Sequence, residues 1–287
     1  MKLNKKIVLN SKQLKLLEIL LFFKNSLISR LKLFKISFLL DQAKIYEKFY
    51  DFVPYKFGPY SFEMEKDINF LYKLGLINIL ENKISINKES LSFLKKMNDE
   101  NYLNFSKFNF LNWQEGKLLD YIYNKYPYYT QNSLIKKNNF KPLEKKETIK
   151  IYTIGYEGRT IDNFINTLIK NDIKAIIDVR SLPFSNKYGF NKYWFLKYLK
   201  EFKIDYYNMP DLGIPKTIRM NGSKEEYFNW YKNYLINKTH DLKKVIFLMK
   251  LKPSCLMCFE KYFNDCHRGI LAKKLKEITG LEIEELV

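Results

Sequence analysis

Cysteine and histidine are scarce in this chain: three and two among 287 residues. An odd number of unevenly spaced cysteines cannot build a disulfide framework, which points to a reducing compartment. Long hydrophobic runs are missing too. The greasiest window, from Leu14 to Phe23, is interrupted by Glu18 and is too short to span a bilayer. The stretch from Met1 to Ser11 lacks the apolar core and small-residue cleavage site of a signal peptide. The expectation is a cytoplasmic protein with no membrane partner. Internal repeats and low-complexity tracts are absent, and so is a glycine-rich phosphate loop: Gly155 and Gly158 lack its pattern and its lysine. Acidic residues are outnumbered 31 to 50, a net charge of +19. Such a surplus suits a polyanion, DNA or RNA. AT-rich coding, which also favours the abundant Asn, Ile, Phe and Tyr, supplies the same lysines without selection for binding. The lysines cluster only weakly, at Lys136, Lys137, Lys141, Lys145 and Lys146, and an ordinary linker looks the same.

That polar stretch, with Pro142 and no sustained period, sets the predicted organisation. Residues 1–137 form one domain, 138–148 a linker and 149–287 a second domain. In the first, an amphipathic helix is predicted over 11–24, with Leu14, Leu17 and Leu21 on one face, and one or two more helical stretches over 30–50. Pro54 and Pro59 stiffen a turn-rich segment. Ser61 then caps a helix that stops at Gly75, and apolar runs around Glu81-Asn82 predict a hairpin. Further helices are predicted over 88–97 and 113–125, the latter ending before Pro127. Helix, helix, helix, hairpin is the order of a winged helix. Tyr55, Phe57–Ser61, Leu71 and Leu74–Ile77 give this segment a resemblance to winged-helix domains of phage-associated and antitoxin-like bacterial proteins. The helix that would enter the major groove carries Glu63, Glu65 and Asp67, which repel phosphates and are only partly offset by Lys66 and Lys73. Nucleic-acid contact and protein contact therefore both stand for this domain.

The second domain alternates strands with helices. Strands are predicted over 149–154, 174–179, 204–208 and 254–259, with a candidate fifth over 281–285. The expected fold class is α/β, an open, mostly parallel sheet preceded by a helical, winged-helix-like domain. The chemistry-bearing residues fall just after strand ends: Tyr156 and Glu157 after the first, Asp178, Arg180 and Ser181 at the second, Glu260 after the fourth. In a parallel sheet those ends share one edge, where ligands bind. Between Cys258 and Arg268 the chain packs Cys258, Glu260, Cys266, His267 and Arg268. The last three are expected on the first turn of a helix capped by Asp265, where free backbone N–H groups favour an anion or a thiolate.

Thr153–Thr160, Asp178–Ser185, Leu212-Gly213 and Cys258–Arg268 together resemble the bacterial domain-of-unknown-function family 488 over about residues 149–287. The resemblance implies an α/β fold and makes these motifs the candidate pocket; it implies no activity.

Arg180 and Arg268 are candidate forks for a phosphate or carboxylate; the alternative for Arg180 is an ion pair to Asp178 or Glu260 that holds the strand edge, and for Arg268 a structural ion pair. Asp178, Ser181, Tyr156 and Glu157 are candidate substrate-binding residues. Glu260, His267, Cys258 and Cys266 are the candidate catalytic groups. Three readings of the cysteines stand: reactive thiols, ligands of a structural zinc through Cys255, Cys258, Cys266 and His267, or small core residues, as expected for Cys255. No metal is assigned and no cofactor is identified. His240 is expected at the surface. The leading functional expectation is an enzyme acting on a phosphate-bearing substrate, a nucleotide or nucleic acid, with the reaction open. The alternatives are a non-catalytic nucleic-acid-binding or regulatory protein with an anion-sensing crevice, and a thiol-based sulfur or redox enzyme.

Overall fold

A computed structural model describes residues 8–23, 26–46, 49–87, 90, 105–135, 149–220 and 222–287. The predicted linker and its lysines, and all of the predicted 88–97 helix but Ser90, lie outside the described residues. The chain divides into two compact units, Met1–Pro142 and Leu143–Val287.

In the first unit α1 (Ser11–Phe22) starts at Asn10, whose side chain accepts from the Gln13 backbone in a reciprocal capping box. Strand β1 (Ile28–Ser29) leads into α2 (Arg30–Gln42), capped by the Ser29 hydroxyl. The proline-rich segment forms a narrow antiparallel ribbon, β2 (Val53–Tyr55) and β3 (Gly58–Tyr60), with Gly58 at φ +85° closing the turn. Ser61 caps α3 (Phe62–Lys73). The hairpin β4 (Ile77–Leu80) and β5 (Lys83–Ile86) completes a sheet of order β1-β5-β4. Helix α4 (Glu115–Lys125) ends before Pro127, as the missing proline N–H requires. Leu16, Leu33, Phe38, Ile68 and Ile84 share one core.

The second unit contains a five-stranded sheet of order β10-β6-β9-β7-β8, every pairing parallel. Its strands are β6 (Ile151–Gly155), β7 (Ala175–Asp178), β8 (Asp205–Asn208), β9 (Ser254–Cys258) and β10 (Ile283–Glu285). The helices are α5 (Ile161–Lys170), α6 (Lys192–Glu201), the short α7 (Lys216–Met220), α8 (Lys224–Ile236), α9 (Thr239–Leu251) and α10 (His267–Thr279). Strand β9 is central and buried throughout. Alternation along the strands puts Ile151, Ile177, Leu256 and Cys258 into one core with Val245 of α9 and Leu271 of α10. The intervening Ile154, Ile176 and Met257 are fully buried as well. Both faces are thus covered, the usual condition of a parallel sheet. No described helix is long and apolar enough to cross a membrane.

Candidate functional site

Parallel pairing aligns the carboxyl ends of the strands. Gly155 pairs with Cys258, and Asp178 with both Met257 and Asn208. The segments that leave this edge carry the candidate residues.

Gly155 lets the loop after β9 fold back across the end of β6. A β-carbon there would lie 1.9 Å from the Glu260 carbonyl oxygen, so only glycine admits this approach. Arg268 holds the same loop from beneath. Its guanidinium donates to the Glu260 carbonyl, to the Lys261 carbonyl at 2.9 Å and to Glu285 Oε1 at 3.2 Å. Glu285 Oε1 also accepts from the Phe263 backbone N–H at 2.6 Å. Arg268 is fully buried.

Around β7, Asp178 and Arg180 form a buried pair: Arg180 Nη2 donates to Asp178 Oδ2 at 2.6 Å and Nε to Oδ1 at 2.9 Å. Arg180 Nη1 donates to the Tyr156 hydroxyl at 3.1 Å, and the Tyr206 hydroxyl donates to Asp178 Oδ2 at 2.7 Å. Burial disfavours the Arg180 charge, but Asp178 and Tyr156 outweigh it and keep the guanidinium protonated. The Tyr156 ring stacks on Phe190 at 4.4 Å. Both arginines therefore have protein acceptors, as desolvated guanidiniums require, although Arg268 Nε is enclosed without a hydrogen-bond partner. Glu157 lies at the surface side and accepts from the Lys261 backbone N–H at 2.9 Å. The Ser181 backbone runs against Gly213, where a β-carbon would meet its amide nitrogen at 2.2 Å. His240 is exposed on α9.

The four candidate catalytic side chains converge. One ligand-capable atom from each of Cys258, Glu260, Cys266 and His267 lies within 4.8 Å of the others. His267 Nδ1 is 3.8 Å from each of the two sulfurs. The His267 Nε2–H donates to the Val179 carbonyl oxygen at 3.0 Å, which leaves Nδ1 as the acceptor nitrogen facing the thiols. The Tyr231 ring meets the imidazole edge-on at 5.3 Å. Burial pushes the Glu260 carboxyl up, but the facing Cys266 thiol, the backbone, His267 and Cys258 outweigh it, leaving the group below its ordinary value. Its Oε2 is enclosed without a hydrogen-bond partner. Cys255 lies fully buried outside this cluster, and burial pushes its thiol up. Two thiols, an imidazole and a carboxylate at this spacing form a donor set that can hold a metal ion or move a proton.

The helix cap differs from expectation. Cys266, not Asp265, is the N-cap of α10, and its sulfur accepts from the Arg268 backbone N–H at 3.5 Å. Asp265 sits one position too early, in a short turn, and its carboxylate pairs with Lys224 Nζ at 2.7 Å. Burial and the neighbouring Cys258 push the Cys266 thiol well up. Sequence reasoning also missed Tyr206, Glu285, Tyr231 and the Val179 carbonyl. A main-chain acceptor has no residue-type signal, and the two tyrosines are lost among 22 in the chain. A carboxylate at the end of an edge strand was the one visible hint for Glu285.

A cleft of about 430 Å³ between α8 and α10 reaches Cys266. Lys232, Lys273, Lys274 and Glu277 line it, with Phe228 and Phe263 supplying aromatic surface. Three cations against one carboxylate favour an anionic occupant.

A parallel α/β unit with a thiol–imidazole–carboxylate cluster at the end of its central strand is the class of protein that fold and site define. Residues 160–275 match the family model described as "Domain of unknown function DUF488". The match takes in Asp178–Ser185, Leu212-Gly213 and Cys258–Arg268. No curated protein and no solved structure matches the chain.

Proposed function

We propose that this protein is an enzyme acting on a phosphate-bearing substrate, a nucleotide or nucleic acid, with its reacting centre in the C-terminal unit. The lysine-lined cleft carries this reading: it brings a basic surface up to Cys266, the one member of the Cys258, Glu260, Cys266 and His267 cluster that lines it. The carboxyl-edge aromatics Phe259 and Tyr262, about half exposed, add surfaces on which bases can stack.

We read the N-terminal unit as a winged-helix-type module that engages the nucleic acid. The element order from α1 to β5 and the β1-β5-β4 sheet support this. So does the fate of the acidic residues on α3. Glu63 pairs with Lys12 at 2.6 Å, Glu65 with Arg30, and Asp67 is buried. The exposed positions of α3 are Lys66, Asn69, Phe70, Tyr72 and Lys73.

Fluorescence anisotropy with labelled single- and double-stranded oligonucleotides tests the reading. Micromolar binding at 50 mM salt should weaken roughly tenfold to fiftyfold by 200 mM if about three phosphates are neutralised. Lys232→Glu combined with Lys273→Glu should weaken it further. Absence of binding at low salt sinks the proposal; binding that ignores both lysines removes the cleft from it.

A further inference from the structure

We propose that Cys258, Cys266 and His267, with Glu260 as fourth donor, bind a single zinc ion at the carboxyl end of the central strand. The proposed function enters only in where the reacting centre lies.

Four independent observations point to this ion. The first is spacing. Tetrahedral zinc, with bonds of about 2.3 Å to sulfur and 2.0–2.1 Å to nitrogen, separates its donors by roughly 3.5–3.8 Å. His267 Nδ1 lies 3.8 Å from the sulfurs of both Cys258 and Cys266, and all four donors fall within 4.8 Å.

The second is the orientation of the imidazole. A metal-bound histidine usually donates its other ring N–H to a carbonyl or carboxylate, which fixes tautomer and ring plane. His267 does this through Nε2 and the Val179 carbonyl at 3.0 Å, turning the Nδ1 lone pair toward both sulfurs. The edge contact with Tyr231 restrains the ring further.

The third is an orphan. Glu260 Oε2 is enclosed and no side chain or main-chain donor meets it at hydrogen-bond distance, the groups that face its carboxylate being the Cys266 and Cys258 thiols and the imidazole, a costly state for a carboxylate oxygen. An ion among the four donors supplies the missing partner.

The fourth is support for the charge that metallation creates. Two thiolates, a carboxylate and a dication sum to a net negative centre. The Arg268 backbone N–H points at the Cys266 sulfur at 3.5 Å at the positive end of α10. The Arg268 guanidinium holds the Glu260 and Lys261 carbonyls, so the loop that delivers the carboxylate is fixed.

Ligand softness selects the element: thiolates and imidazole suit zinc, whereas magnesium and calcium prefer oxygen. The carboxylate is the hardest of the four donors and the least buried. It is the one that water can replace, which would turn a closed site into an open one with an acidified metal-bound water.

The full-length protein, purified without chelator from zinc-supplemented culture, should contain about one zinc per chain by inductively coupled plasma mass spectrometry. Reloading chelated protein with cobalt(II) should give thiolate-to-cobalt charge-transfer absorption, a readout on the unaltered chain that survives any folding defect of a variant. Cys258→Ser, Cys266→Ser and His267→Gln should each lose the metal, Glu260→Gln should hold it at least tenfold more weakly, and Cys255→Ser should keep it. Less than a tenth of an equivalent of zinc, with no cobalt spectrum at micromolar metal, overturns the site. So does zinc retained in both cysteine variants, or an intact mass showing Cys258 joined to Cys266, since all three cysteines must be free thiols. Oligonucleotide binding measured on the same samples separates the two proposals. Metal-free protein that binds nucleic acid removes only the zinc, and loaded protein that does not bind removes only the nucleic-acid reading.

Discussion

Gly155 and Glu260 touch backbone to backbone: a β-carbon on Gly155 would stand 1.9 Å from the Glu260 carbonyl oxygen. The glycine is therefore what lets the loop carrying Glu260 lie across the end of β6. Gly155→Ala must push that loop away, at a cost of about 1–3 kcal/mol, typical of overpacking. Chemical denaturation should show the loss, and zinc content should fall with it because Glu260 and the start of α10 move together. Gly158→Ala is the matched control. It faces open space at φ +74°, so it carries only left-handed backbone strain of about 1–2 kcal/mol. Unchanged zinc binding in Gly155→Ala would show that the loop is not set by this contact.

Arg268→Lys should behave as a structural variant. The guanidinium reaches three acceptors in different directions, the carbonyls of Glu260 and Lys261 and the Glu285 carboxylate. A single ammonium cannot span them. Losing one charged hydrogen bond costs about 1.5–3 kcal/mol, which thermal denaturation should register as a drop of several degrees. Oligonucleotide affinity should stay within about twofold. A stable variant with sharply weaker anion binding would return Arg268 to the role of an exposed anion fork.

The strands of the second unit were legible because apolar runs of strand length alternate with helical periods and are punctuated by Gly155, Asn171 and Pro253. Placement of Tyr156, Asp178, Arg180 and Glu260 at one edge followed from parallel topology alone. The partners were not legible. Whether a strand-end arginine faces solvent or an internal carboxylate depends on neighbouring strands, and Arg180 finds both Asp178 and Tyr156. Residues three apart on a strand point to opposite faces, so Cys255 lies outside the cluster that Cys258 joins. That Glu260 takes its place could not be read, because it depends on the loop's close approach to Gly155. Nor does the sequence reveal that Lys12, Arg30, Gln13 and Tyr50 meet the acidic residues of α3.

Asp67→Asn should destabilise the protein without improving nucleic-acid binding. Asp67 is 1 % exposed and accepts from Gln13 Nε2 and from the Tyr50 hydroxyl, each at 2.9 Å. Asparagine can keep its oxygen on Gln13 and donate to the Tyr50 hydroxyl oxygen, but it replaces two charge-assisted bonds with neutral ones and leaves a buried hydroxyl proton to find another acceptor, at a cost of about 1–3 kcal/mol. If α3 approaches phosphates, removing this interior charge should leave affinity nearly unchanged, while Lys73→Glu on the exposed side should lower it severalfold and flatten its salt dependence. Equal effects of the two substitutions would count against that orientation of α3.

Lys35 gives the N-terminal unit a pH-dependent stability. Its side chain is 2 % exposed on α2, and Nζ donates to the Pro59 carbonyl at 3.1 Å. Burial lowers its pKa from 10.5 to about 7. Between those values the unfolded chain holds a proton that the folded chain releases, so stability falls as pH drops from about 10.5 toward 7 and levels off below. The steepest slope from one such group is about 1.4 kcal/mol per pH unit. Lys35→Met keeps the apolar stem and removes the titrating amine. Urea denaturation of both proteins at several pH values between 7 and 10 isolates the effect, because groups common to both cancel in the difference. The methionine variant's relative stability should be greatest near pH 7 and should shrink as pH rises, by about 1 kcal/mol per unit. A difference that stays flat across this range would mean that Lys35 is charged in the folded protein throughout.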